Sequence, residues 1–122
     1  MIETIRLSER GRQQLLTLKR YTHVQNWNVL CRWAFCLSLR EESVPPDEDI
    51  PADSSVEMTW RTFAGTNENV YWALLLTRAK TDGVEPTLPA LNRYFRLHLH
   101  RGISYLASGQ IRSVRDLLAL AA

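Results

Sequence analysis

The amino-acid sequence predicts a mainly α-helical single domain of about five to six helices, its N-terminal half ordered strand–helix–helix. Three observations carry this. A length of 122 residues suits one domain with a core of its own. Apolar residues recur at helical spacing over most of the chain. Pro45, Pro46 and Pro51 exclude a helix between them and divide the chain. The expected parts are a basic strand–helix–helix half (1–42), an acidic proline-rich connector (43–55) and a C-terminal helical half (56–122).

Residues 2–7, IETIRL, alternate: Ile5 and Leu7 face one way, Thr4 and Arg6 the other, as in a short half-buried strand. Ser8 stands where a helix N-cap belongs, with Glu9 in the first turn. A first helix over about 9–21 carries Leu15, Leu18 and Tyr21 or Thr22 as its apolar stripe. Asn26 or Asn28 caps a second helix, about 27–40. That helix is apolar nearly all round except at Arg32, so burial on most sides and an oligomer interface are expected. A third helix is expected over about 55–63, ending near Gly65, and a fourth from Asn67 or Glu68 to Gly83. A fifth covers about 89–107, where Gly102 on the apolar face suggests close helix–helix approach. Ser113 and Asp116 resemble a capping box that opens a last short helix.

Charge is unevenly spread. Residues 1–40 hold seven basic and two acidic side chains, residues 41–58 seven acidic and no basic ones, and residues 59–122 eight basic and four acidic. Arginine outnumbers lysine 13 to 2, and its planar fork suits phosphate. No run of 18 apolar residues marks a membrane span. The stretch MIETIRLSER lacks the apolar core of a signal peptide, so a cytoplasmic location is expected. Cys31 and Cys36, five apart on one helix, do not face each other and read as small buried hydrophobes.

The strand–helix–helix order resembles the ribbon-helix-helix DNA-binding fold, in which two protomers pair their N-terminal strands into a ribbon that enters the major groove. By that resemblance Thr4 and Arg6 face the groove, and the amides around Asn26 to Asn28 face a phosphate. Where that family commonly turns on glycine, this chain has His23. A second resemblance covers roughly residues 5–120. The segments IRLSERGRQQLLTLKRYT, NWNVLCRWAFCLSLREESVPP, IPADSSVEMTWRTFAG, YWALL and FRLHLHRGISYLA look like those of the DNA sulfur-modification family DndE, in that order and at about that spacing. This resemblance implies a part in DNA phosphorothioation, where sulfur replaces a non-bridging phosphate oxygen. It also implies a homotetramer, binding to duplex DNA (notably nicked duplex), and work beside other sulfur-modification proteins.

The residues fit a DNA-binding role. Phosphate contacts from Arg and Lys supply most sequence-independent affinity. The first helix offers Lys19 and Arg20 foremost, then Arg12, with Arg10 at its start; these lie largely off the apolar stripe. Clustering such charges from several protomers is costly without an anion, which favours an anionic ligand. A face of Arg93, Arg96 and His100 is open to two roles: binding phosphate, or pairing with the acidic connector, which could then compete with DNA. His98 and His100 point about 200° apart on a helix and cannot chelate one ion together. No nucleophile–base pair, Walker loop or paired carboxylate site is visible, so neither an enzyme nor a cofactor is expected. Trp27, Trp33, Trp60 and Trp72 read as core and interface anchors. The rival function is a scaffold that bridges the other modification proteins without binding DNA. A third, a nicking enzyme, lacks a catalytic constellation.

Overall fold

The computed structural model describes residues 1–121. Strand β1 (Thr4–Arg6) leads into α1 (Glu9–Thr22) and α2 (Trp27–Arg40); the connector follows, then β2 (Glu57–Thr59), α3 (Trp60–Ala64), α4 (Glu68–Thr81), α5 (Leu88–Ser108) and α6 (Val114–Ala119). The expected mainly helical domain with a short N-terminal strand is what forms.

The alternation in IETIRL does bury Ile5 and Leu7. The strand's partner is β2 of the same chain, antiparallel, with Thr4 opposite Thr59, Ile5 opposite Met58 and Arg6 opposite Glu57. Here the expectation of a helix from about residue 55 is corrected. Val56, Met58 and Trp60 are buried at period two, and the helix begins only at Trp60. Thr59 caps it, its hydroxyl accepting the Thr62 N–H at 3.1 Å.

Ser8 caps α1 as expected, its hydroxyl accepting the Gly11 N–H at 3.0 Å. The buried stripe of α1 is Gly11, Leu15, Leu18 and Thr22, while Tyr21 lies outside. His23 takes the left-handed conformation that a glycine would adopt (φ 62°) and donates its N–H to the Lys19 carbonyl at 2.9 Å. The turn keeps its geometry without glycine.

Helices α2 and α5 form the central pair. A Cβ on Gly102 would stand 1.7 Å from the Ala34 carbonyl oxygen, so only glycine lets the two backbones meet. Around this contact Phe35, Phe63, Phe95 and Trp60 stack, with ring centroids 5.1 to 5.8 Å apart in all but one of their pairings. Helix α2 is less enclosed than its composition suggests. Trp27, Val29, Trp33 and Leu37 are half-buried, and Cys36 is exposed, which corrects its reading as a buried hydrophobe. Cys31 is buried, and burial pushes its thiol up to about 12, so it stays protonated.

The connector is bound by arginines. Arg101 donates to Ser38 Oγ and to the Ser38 and Ser43 carbonyls at 2.8 to 2.9 Å; Arg78 donates to the carbonyls of Leu39, Glu41, Glu42 and Ser43. Together they satisfy the Ser38 and Leu39 carbonyls in the last turn of α2. No helix among the described residues is long and apolar enough to cross a membrane.

Candidate nucleic-acid interface

At about 100° per residue the basic side chains of α1 divide into three rows. Arg20 stands on the crest opposite the buried stripe. Arg12 and Lys19, seven apart, share one flank. Arg10 lies on the other, at the edge of a groove of about 540 Å³ between α1, α5 and the connector. The first helix therefore presents a basic crest and two basic edges, not one compact patch.

Each side chain has its own commitments. Arg20 is exposed and has no hydrogen-bond or ion-pair partner among the described residues. Lys19 places its Nζ 3.6 Å from the centroid of the Trp27 ring, which anchors the ammonium at the α1–α2 junction. Partial burial lowers the Lys19 pKa from its ordinary value, against a smaller opposing effect of Cys31. Arg12 pairs with Glu9 at 2.8 Å, one turn earlier on the helix. Thr4 is exposed on β1. Arg6 is engaged twice, donating to Glu57 Oε2 and to the Ser54 carbonyl at 2.8 Å each. Asn26 is the N-cap of α2 by position, yet its side chain makes no capping bond. The Asn28 amide instead donates to the Thr62 carbonyl at 3.0 Å, bracing α3.

The second candidate surface is spent internally. Arg93 pairs with Asp47 and Asp49. Arg96 donates to the carbonyls of Ile50, Arg6 and Pro51. Of the two roles open to this face, pairing with the acidic connector is the one adopted. The histidines are structural as well. His98 Nδ1 lies 2.8 Å from Ser38 Oγ, and His100 Nε2 accepts the Ser8 N–H at 3.1 Å. One relevant contact escapes sequence reasoning: Arg112 holds its guanidinium carbon 4.8 Å from the centroid of the Tyr21 ring. Its only trace in the sequence is a basic residue beside the capping serine of α6.

A profile described as "DNA sulphur modification protein DndE" matches residues 4–113. The chain belongs to the DndE family. Among solved structures it is similar to the crystal structure of DndE from Escherichia coli B7A involved in DNA phosphorothioation modification. That match has 24% identity and a TM-score of 0.73, and covers 87% of this chain and 98% of the other. It is also similar to a DndE G21/24K mutant involved in DNA phosphorothioation, at 21% identity and a TM-score of 0.68, covering 87% and 97%. At these identities the likeness establishes a shared fold. No curated protein sequence matches. The DndE-family match ends at Arg112–Ser113, just before α6.

Proposed function

We propose that this DndE-family chain is a non-catalytic DNA-binding accessory subunit of a bacterial DNA phosphorothioation system, and that it grips duplex DNA, including nicked duplex, as a homotetramer. The carrying observation is a contrast between helices. The arginines of α2, α4 and α5 donate to protein acceptors, whereas Arg10, Lys19 and Arg20 of α1 find none among the described residues. Like charges on one helix that no carboxylate offsets repel one another, and a polyanion removes that cost. Lys19 and Arg20 are the primary phosphate contacts. Arg12 and Arg10 add to them once Arg12 exchanges Glu9 for phosphate. The first-turn amides of α2, which the Asn26 side chain leaves uncapped, supply a further phosphate contact in this reading. Thr4, Arg6, Asn26 and Asn28 are secondary, because Arg6 and Asn28 must first release protein partners. Sulfur insertion falls to partner proteins, and the buried histidines serve packing.

Gel shift of intact and nicked duplex across a salt series tests this reading. Binding that weakens steeply with salt is expected, with Lys19→Glu/Arg20→Glu abolishing it. Unchanged binding by that variant overturns the assignment of Lys19 and Arg20; no binding by the wild-type chain overturns the reading. A nicking assay with and without magnesium checks the non-catalytic part, with no cleavage expected. The alternative, a scaffold that bridges other sulfur-modification proteins without touching DNA, draws on one observation: α4 exposes Val70, Leu74 and Leu76. Co-purification with those proteins in the absence of DNA binding would favour it.

A further inference from the structure

Helix α6 lies beyond the family match, yet it is docked firmly. Ile111 and Leu117 are buried, and Arg40 donates to the Leu120 carbonyl at 2.6 Å. Docking brings Arg112 over the ring of Tyr21, the α1 residue next to Arg20. Tyr21 is 40% exposed, so the stacked pair lies at the surface. A guanidinium lying over a ring keeps its N–H edge free to donate. Arg115 is exposed on the first turn of α6. The nearby acid, Asp116, is occupied by the Arg112 backbone N–H at 2.8 Å. Its charge offsets one of the two arginines, leaving the segment net positive beside an α1 crest where Glu9 already pairs with Arg12. Beyond Arg10, Lys19 and Arg20, the side chains of Arg112 and Arg115 are, among the described residues, the cations left without acceptors next to α1. Arg61 and Lys80, also without acceptors, lie on α3 and α4.

We infer that Arg112 and Arg115 form the second half of the DNA-backbone surface, which runs from the crest of α1 onto α6, with Tyr21 setting the position of Arg112. This rests on the duplex-binding reading above. Because phosphate contacts release counterions, the dependence of log affinity on log salt loses about 0.9 for each contact removed.

The test measures that slope on a duplex of fixed sequence for the full chain, for Arg112→Ala/Arg115→Ala, for Arg112→Lys/Arg115→Lys, and for Lys80→Ala. Circular dichroism melts verify that each is folded. The alanine pair should lower the slope by about 2 and weaken binding at least tenfold, with the lysine pair close to wild type. An alanine pair with the wild-type slope overturns the inference and leaves the α1 reading intact. So does a Lys80→Ala loss as large as that of one arginine, since net charge alone would then account for the effect. A wild-type chain that does not bind overturns both.

Discussion

The Nε2 atom of His100 accepts the backbone N–H of Ser8 at 3.1 Å, fastening α5 to the residue that caps α1. The opposite ring nitrogen, Nδ1, lies 2.9 Å from the Arg96 carbonyl and therefore carries the proton. The ring works only when neutral, since a proton on Nε2 would face a donor. Burial lowers the His100 pKa to about 4, and burial with Arg101 and Arg78 nearby does the same for His98.

Stability should therefore depend on pH in a defined window. In the unfolded chain these histidines take up protons near pH 6.5, while the folded chain resists until about pH 4. Between those values the unfolded state binds more protons, so stability is fully present above pH 6.5 and falls as pH falls. Each histidine contributes about 3 kcal/mol to the total loss. Urea denaturation at a series of pH values checks this, with His100→Gln showing a shallower slope than wild type. Equal slopes would contradict the assignment.

The Gly102–Ala34 contact sets a second expectation. Gly102→Ala puts a methyl group into the α2 backbone and forces the central helices apart, which costs upwards of about 4 kcal/mol or prevents folding. Gly83→Ala is the comparison. That glycine has φ 72° but open space around it, so the substitution adds only left-handed strain of about 1 kcal/mol. Thermal melts of the two variants should differ widely.

What could be read from the sequence follows from range. The Ser8 cap, the limits of α2 and the close approach at Gly102 are local patterns, and all three form. Strand β2 escaped because VEMTW is shorter than two helical turns, and its alternation has meaning only beside β1, about fifty residues away. The site divides the same way. The basic residues of α1 are visible as a list. That Arg6 is held by Glu57, Arg93 by the connector and Arg112 by Tyr21 depends on contacts between distant segments.

Those contacts differ in strength, and the connector exposes the difference. Arg93 reaches Asp47 and Asp49 in open solvent, so Asp47→Asn/Asp49→Asn should leave the melting temperature unchanged. Arg101 instead satisfies the Ser38 carbonyl and hydroxyl, on a residue with no exposed surface. Arg101→Ala leaves the Ser38 carbonyl with only the Glu41 N–H at 3.2 Å and its hydroxyl with only His98, and should cost about 1 to 3 kcal/mol. Arg101→Lys should recover little, because one ammonium cannot span the acceptors that the fork reaches. Chemical denaturation of the three variants separates the two classes.

Assembly through α4 gives the last expectation. This helix is apolar on more than its inner face: Leu75 and Ala79 are buried, while Val70 is 55% and Leu74 41% exposed, lining a shallow apolar groove with Leu39 of α2. Isolated apolar residues on a surface are ordinary, but two on successive turns beside an apolar groove form a patch suited to burial between copies. Val70→Glu/Leu74→Glu desolvates two carboxylates in any such interface, yet both positions face outward in the single chain, so the fold should survive. Light scattering after size-exclusion chromatography should show a smaller species with an unchanged circular dichroism spectrum. A variant that keeps the wild-type mass would move the self-association surface elsewhere, to the half-buried side of α2 around Trp33 and Leu37. On the duplex-binding reading proposed above, DNA affinity should fall with the loss of assembly even though no basic residue has changed, because linked copies would engage neighbouring phosphates at high effective concentration.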